Sequence, residues 1–269
     1  MKKLATALVS AAAIMTMSTT AFAAENPAEV FDRAMEKNNT IQSADFQSGV
    51  HSVILAKDVI PDGQMKVDMA MHAEMDMQDT TDLKYLAQVA SSILGQDSYS
   101  QVFYTDGYYY VDANGVKLKY PMPLEQIISS VQTGVNTSNM ESSYMKGISL
   151  NEVNGKRVLA YEANPKKLNK NVKEALGTVM NTLGTDVNLD MNIQEMKGAY
   201  VLDDNDYIIY MTNYIVYNME VLDQPMTCIT LMETEVQNPG EPVVVTLPST
   251  DGYEDLIGLY DGVIESEVE

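Results

Sequence analysis

The segment MKVDMAMHAEMDM, residues 65–77, places an apolar side chain at every odd position and uses methionine for five of the seven. A period of two is typical of a β-strand, in which successive side chains point to opposite faces of a sheet. The odd-numbered residues should therefore share one face of a strand. Exposure of that face to water would forfeit about 1.5 to 3 kcal/mol for each large side chain, so we expect it to be covered.

Three interpretations fit this strand: an ordinary core, a soft metal site, or the lining of an apolar pocket. Thioethers and a histidine can bind Cu(I), but alternation puts His72 on the face opposite Met71. We therefore expect no metal site and no cofactor, although a site built of thioethers alone stays open. Methionine is flexible and common where apolar partners vary, so plain core and pocket lining remain equally open.

The flanking sequence supplies further elements. Residues 26–39 have a capping Asn26 followed by Pro27, which predicts a helix. Residues 46–56 should form a strand paired with residues 65–77 through a turn at 61–63. Helical spacing predicts helices at 83–94, 124–131 and 164–184. Tight hairpins are expected at Asp106-Gly107, Asn114-Gly115 and Asn154-Gly155, because these dipeptides tolerate positive φ.

From residue 187 to residue 248 the pattern is extended, with turns expected at 203–206, 223–225 and 238–242. The acidic run at 203–206 lacks the spaced ligands of a calcium loop, so we interpret it as a hairpin turn. The whole chain then has roughly nine or ten antiparallel strands and three or four helices, which predicts an α+β fold.

The N-terminus predicts the compartment. Lys2 and Lys3 precede an apolar run, and Ala21-Phe22-Ala23 suits a signal peptidase, so residues 1–23 should be a cleaved signal peptide and the protein secreted or extracytoplasmic, in the cell envelope. Cleavage removes two of the 17 basic residues and none of the 38 acidic ones, which leaves a formal net charge of −23. Such a charge argues against nucleic acid as a partner. We expect one domain at residues 24–248, an acidic C-terminal tail at 249–269, and a monomer.

Catalytic patterns are scarce. The chain has two histidines, His51 and His72, and one cysteine, and neither histidine belongs to a nucleophile or metal motif. Cys228 lies in an alternating run and should be a small buried group. We therefore expect no catalytic residues and no enzyme activity.

The order of these elements, with the hairpin pair TDGYYYVDANGVKLKYP, the strand-to-helix step VNGKRVLAYEANPKKL and the closing EPVVVTLP, resembles the LolA-like superfamily of lipoprotein carriers. The similarity is strongest to the secreted Gram-positive branch related to the LppX and LprG type lipoproteins. The resemblance implies a curved antiparallel half-barrel sheet whose concave face is covered by helices over an apolar cavity. Helices at residues 82–94 and 124–131 would form the lid.

On this interpretation the protein is a carrier for a lipid or other amphiphile, with transient contact to a membrane or a lipoprotein. The expected apolar lining consists of Met65, Val67, Met69, Met71, Met75, Met77, Met191, Ile193 and Met211. The alternative is an extracytoplasmic interaction or sensing module with a filled core and no ligand.

Overall fold

The computed structural model describes residues 25–56, 60–79, 82–127, 140–170, 191–221 and 224–256. Helix α1 spans Pro27–Asn39, and residues 124–127 and 165–170 are also helical. Short 3₁₀ turns lie at Pro61–Gly63 and Ser142–Tyr144. The strands are β1 Ser43–Leu55, β2 Gln64–Asp76, β3 Lys84–Ile93, β4 Gln96–Thr105, β5 Tyr108–Ala113, β6 Val116–Pro121, β7 Met145–Val153, β8 Lys156–Ala163, β9 Asn192–Leu202, β10 Ile208–Val221, β11 Gln224–Gln237 and β12 Glu254–Asp255.

The described strands form one open, curled sheet in the order β12-β6-β5-β4-β3-β2-β1-β11-β10-β9-β8-β7. Neighbouring strands are antiparallel except for β12, which pairs with β6 in parallel. Strand β1 lies near the centre because it pairs with β2 on one side and with β11 on the other. The predicted α+β class with a curled antiparallel sheet is confirmed.

Turn residues with positive φ close the hairpins where the sequence predicts them. Asp106, Asn114 and Asn154 have φ of 52°, 52° and 53°, and each is followed by a glycine with positive φ. The turn at 203–206 is also confirmed, since Asp203 Oδ1 accepts hydrogen bonds from the backbone N–H groups of Asn205 and Tyr207, both at 2.8 Å. These local bonds stabilise the turn.

The predicted helix at residues 83–94 is wrong, and with it the lid helix at 82–94. This segment is strand β3, which pairs with β2 and β4 along its length. The error arises because β3 buries both Leu86 and Ala87, which point to opposite faces of the sheet. Burial on both faces removes the alternation by which a strand is recognised.

Helix α1 begins as the sequence predicts, because Asn26 Oδ1 accepts a hydrogen bond from Ala28 N at 3.1 Å. Its apolar side buries Val30, Phe31, Ala34 and Met35 against the sheet. The predicted helices at 124–131 and 164–184 begin within helical residues 124–127 and 165–170 and otherwise lie outside the described residues.

Residues 243–253, here called the C-terminal strap, cross the face of the sheet opposite to α1. Val243 N donates a hydrogen bond to Ser43 Oγ at 2.7 Å. Further along, Val245 and Tyr253 pack with Leu86, Phe103 and Tyr110. The ordered chain thus continues past residue 248 to the β12–β6 pairing. In the described part of the chain, no helix has the length and apolar character needed to span a membrane.

Candidate apolar binding face

The odd-numbered side chains of β2 define what we call the methionine face, and strand register shows how far it extends. Residues that are register partners project to the same side of a sheet. Met71 pairs with Ser48, Ser48 with Thr234, and Thr234 with Met211. The row then continues through Tyr200 into the residues under α1. The methionine face and the α1-covered face are therefore one surface.

A second row of register partners, which begins at Met65 near the start of β2, confirms this assignment. Met65 pairs with Ile54, Ile54 with Cys228, and Cys228 with Tyr217, which pairs with Ile193. Cys228 is buried, as its alternating surroundings predict. The predicted lining residues from distant parts of the chain are thus brought onto the same face.

One end of the methionine face is fully packed. Under α1, the ring of Phe31 lies 5.9 Å from the ring of Tyr161 and 5.8 Å from that of Tyr200, measured between centroids. Phe31 and Leu159 have no exposed surface. Ile193 belongs to this buried cluster, and Met211 packs against it half-buried.

Polar groups inside this packed end have their own partners. The Tyr161 hydroxyl hydrogen bonds to Asn213 Oδ1, and the Tyr200 hydroxyl donates to the Tyr161 hydroxyl at 3.4 Å. Burial raises the pKa of Tyr200 to about 12. Gly198 makes this geometry possible, because a Cβ there would lie 2.7 Å from Asn213 Oδ1 and 2.8 Å from the Tyr161 hydroxyl.

The opposite end of the methionine face forms a second buried cluster. Met75 and Met77 are buried with Leu83, Tyr104 and Ile127. Residue 127 belongs to the helical segment 124–127, so a second helix covers this end as α1 covers the other. Because Met75 and Met77 are buried, they form part of the core.

Between the two clusters the methionine face is only partly covered. Met69 is 38% exposed. Met65, Val67 and Met71 are half-buried. Val50 of β1 and Met232 of β11 are register partners in the same row as Met69 and are also half-buried. We call these six residues the central apolar patch.

Hydroxyl groups lie beside the central apolar patch in two cross-strand pairs. The Ser48 and Thr234 hydroxyl oxygens are 2.8 Å apart, and those of Ser52 and Thr230 are 2.9 Å apart. Each pair shares one hydrogen bond between its two hydroxyls, which lowers the cost of placing an apolar group against the strip between β1 and β11.

The predicted lining residues therefore divide into groups. Met65, Val67, Met69 and Met71 belong to the central apolar patch. Met75, Met77 and Ile193 are core, and Met211 is half-buried against the α1-covered core. Met191 lies half-buried just before β9. Sequence reasoning missed Val50 and Met232, although the alternating pattern of β1 and β11 contained the signal for both.

The other face of the β1–β2 pair carries both histidines, which confirms that His72 cannot join the sulfur atom of Met71. His51 Nδ1 lies 2.7 Å from Asp68 Oδ1. His72 Nε2 lies 2.9 Å from Asp45 Oδ1 and 3.8 Å from Glu74 Oε1. The donor atoms of Asp45, His72 and Glu74 all lie within 4.8 Å of one another, so these three residues could hold a metal ion.

An open cleft of about 790 Å³ lies elsewhere, between the turn at 203–207 and residues 235–241. Its lining includes Lys156, Glu235 and Glu241 and contains none of the predicted apolar lining residues. The cleft is therefore separate from the central apolar patch.

Residues 26–248 match a family of unknown function, DUF6612, and the chain belongs to that family. No curated protein matches the chain.

Three solved structures show a loose similarity of fold. LprF from Mycobacterium bovis is 9% identical, with 83% of this chain and 97% of that chain covered and a TM-score of 0.37. A DUF1329 family protein from Desulfovibrio piger is 11% identical, with 82% and 96% covered and a TM-score of 0.24. A β-barrel-like DUF1849 protein from Brucella abortus is 11% identical, with 74% and 100% covered and a TM-score of 0.24. Values this low transfer no function to the chain.

Proposed function

We propose that this protein is an extracytoplasmic binding or carrier protein for a lipid or another amphiphile, which it holds against the central apolar patch in the manner of LolA-like carriers. One observation supports the proposal above all others. The methionine face is buried at both ends, but its centre keeps Met69 38% exposed beside half-buried Met65 and Met71. If the core were completely filled, Met69 and its neighbours would be buried like the two ends.

The residue types at the patch suit an acyl chain. Methionine has three rotatable bonds and a polarizable sulfur, so it can repack around apolar groups of different shape. Each CH₂ group moved from water onto such a surface contributes about 0.8 kcal/mol. The hydroxyl pairs Ser48–Thr234 and Ser52–Thr230 offer hydrogen bonds to the polar part of an amphiphile if either pair opens.

The sequence supports the proposed compartment and partners. Residues 1–23 have the pattern of a signal peptide, and the remaining chain is strongly acidic. We propose a secreted monomer that binds without catalysis, receives its ligand through transient contact with a membrane or a lipoprotein, and does not bind nucleic acid.

The direct experiment is to purify the protein from its host without a lipid-removal step, extract it with organic solvent, and analyse the extract by mass spectrometry. We expect an acyl-containing compound in stoichiometric amount. If nothing acyl-like is recovered and an apolar fluorescent dye gains no emission with the purified protein, the proposal is wrong, and the filled-core interaction module becomes the better account.

A pair of variants locates the binding surface. Met69→Gln places an amide in the centre of the patch, so we expect the affinity for the dye to fall about tenfold, as for an imperfectly paired buried polar group. Ala70→Gln is the matched control, because Ala70 is exposed on the opposite face of the same strand. Equal affinities of the two variants would place the dye elsewhere.

A further inference from the structure

The second face of the β1–β2 pair carries the histidine and two carboxylates that lie within 4.8 Å of one another. We propose that Asp45, His72 and Glu74 bind one divalent transition-metal ion, with Zn²⁺ as the representative ion. This site lies on the face opposite to the central apolar patch, so it is independent of the proposed lipid binding.

Strand register holds the three ligands in place. Asp45 of β1 is the register partner of Glu74 of β2, and His72 lies two residues before Glu74 on the same face of the strand. All three therefore project from a hydrogen-bonded ladder and not from a loop. Ligands on rigid strands need little reorganisation when an ion binds.

The charges of this cluster favour a cation. Like charges directly opposite one another on neighbouring strands destabilise a sheet, and Asp45 and Glu74 are such a pair. Among the described residues, the ion pairs recorded for these two carboxylates both go to His72, and none goes to a lysine or arginine. A divalent ion would neutralise both carboxylates at once.

The donor atoms of these three side chains also suit a transition-metal ion. One imidazole nitrogen and two carboxylate oxygens suit Zn²⁺, which binds such ligands at about 2.0 to 2.2 Å. Ligand atoms at that distance from an ion are about 3 to 3.5 Å apart in tetrahedral or octahedral arrangements. His72 Nε2 is already 2.9 Å from Asp45 Oδ1 and 3.8 Å from Glu74 Oε1. Small side-chain rotations would bring the three donor atoms to these distances, and water would fill the remaining coordination positions.

The C-terminal strap borders this cluster. Val243 N is hydrogen bonded to Ser43, two residues from Asp45, and Val245 packs in one cluster with Leu86, the register partner of Glu74. The side chains of Asp45, His72 and Glu74 are 31%, 36% and 22% exposed. An ion here would link β1 and β2 where the strap crosses them, so binding should stabilise the fold.

The test is a calorimetric titration of ZnCl₂ into the whole protein after treatment with EDTA and dialysis, at neutral pH and about 0.15 M salt, which screens nonspecific surface attraction. We expect saturable uptake of one ion per chain and a higher melting temperature with Zn²⁺. His72→Gln should weaken binding about 100-fold or more, since loss of even an outer-shell partner costs about 10- to 100-fold.

His51→Gln is the matched control. His51 projects from the same strand pair, and the one carboxylate paired with it among the described residues is that of Asp68, at 2.7 Å, so this variant should bind Zn²⁺ as the wild type does. Glu74→Gln is a second test that leaves both histidines intact and should also weaken binding. Absence of saturable uptake, or equal affinities of His72→Gln, Glu74→Gln and wild type, or equal losses in His51→Gln and His72→Gln, would overturn the proposal.

Discussion

The α1-covered end and the centre of the methionine face belong to one surface but differ in packing. At the covered end Phe31, Leu159 and Tyr161 are almost completely buried, and a methionine of that cluster, Met35, is buried with them. At the centre, Met69 is 38% exposed. A packed methionine is held by its neighbours, whereas an exposed methionine keeps its rotamer freedom and can adapt to an apolar partner. The same sheet face can therefore provide stability at its end and, on the proposed function, a binding surface at its centre.

The largest expected effect comes from a truncation at the covered end. Phe31→Ala should lower the free energy of unfolding by about 3 to 5 kcal/mol, because Phe31 is fully buried against two tyrosine rings and its removal leaves a cavity. Met69→Ala should cost under about 1 kcal/mol, since much of its side chain already contacts water. Urea unfolding of both variants measures the difference. Similar losses would show that the centre is packed as tightly as the end.

Alkaline pH should weaken the covered end. Burial raises the pKa of Tyr200 from 10.0 to about 12. Because the folded pKa lies above the unfolded value, the stabilisation is fully present below pH 10 and is lost as the pH rises towards 12. Two pKa units correspond to about 3 kcal/mol. Urea unfolding at rising pH should show this loss in wild type and a smaller loss in Tyr200→Phe; identical losses would contradict the assignment.

A smaller effect is expected at Gly198, which lies close to Tyr161 and Asn213. An alanine Cβ at Gly198 would collide with Thr212 O and would lie 2.7 Å from Asn213 Oδ1. Overpacking of this kind costs about 1 to 3 kcal/mol. Gly198→Ala should therefore unfold at a lower urea concentration. Gly147→Ala is the control, because a Cβ at Gly147 would meet nothing within 4 Å. Equal stability of the two variants would argue against tight packing at this end.

The smallest effect should be a gain in stability at a hairpin tip beside the edge of the central apolar patch. Leu94 has φ of 53° at the tip of the β3–β4 hairpin and is 67% exposed. Asparagine tolerates this conformation better than leucine, so Leu94→Asn should raise the free energy of unfolding by about 0.5 to 1 kcal/mol. The dye affinity should stay unchanged, because Leu94 lies in the turn beyond Ile93, the last residue of β3 that pairs with β2. A change in affinity would extend the binding surface to this hairpin.

Local sequence signals predicted much of the sheet. Alternation identified β2, and the dipeptides Asp106-Gly107, Asn114-Gly115 and Asn154-Gly155 located three hairpins, because the relevant physics acts between neighbouring residues. Strand β3 was missed for the opposite reason. Leu86 is covered by Val245 of the C-terminal strap, a partner far away in sequence whose presence no local pattern reveals.

The candidate site was predictable in outline only. Alternation assigns Met69 and Met75 to one face, and the register confirms it. Their exposure differs, at 38% and 2%, because Met75 packs with Leu83 and Ile127 whereas Met69 lies between the two covered ends. The sequence pattern is the same for both residues, so coverage by distant elements decides which one remains accessible.

On the proposed function, the centre of the methionine face holds an apolar ligand while the α1-covered end does not. The most direct test is NMR of the protein with ¹³C-labelled methionine methyl groups, titrated with a nitroxide-labelled fatty acid. We expect the signals of Met65, Met69, Met71 and Met232 to broaden first, while that of Met35 under α1 persists. Broadening of Met35 together with them, or no change at Met69 and Met71 at saturating ligand, would show that the ligand does not bind at the central apolar patch.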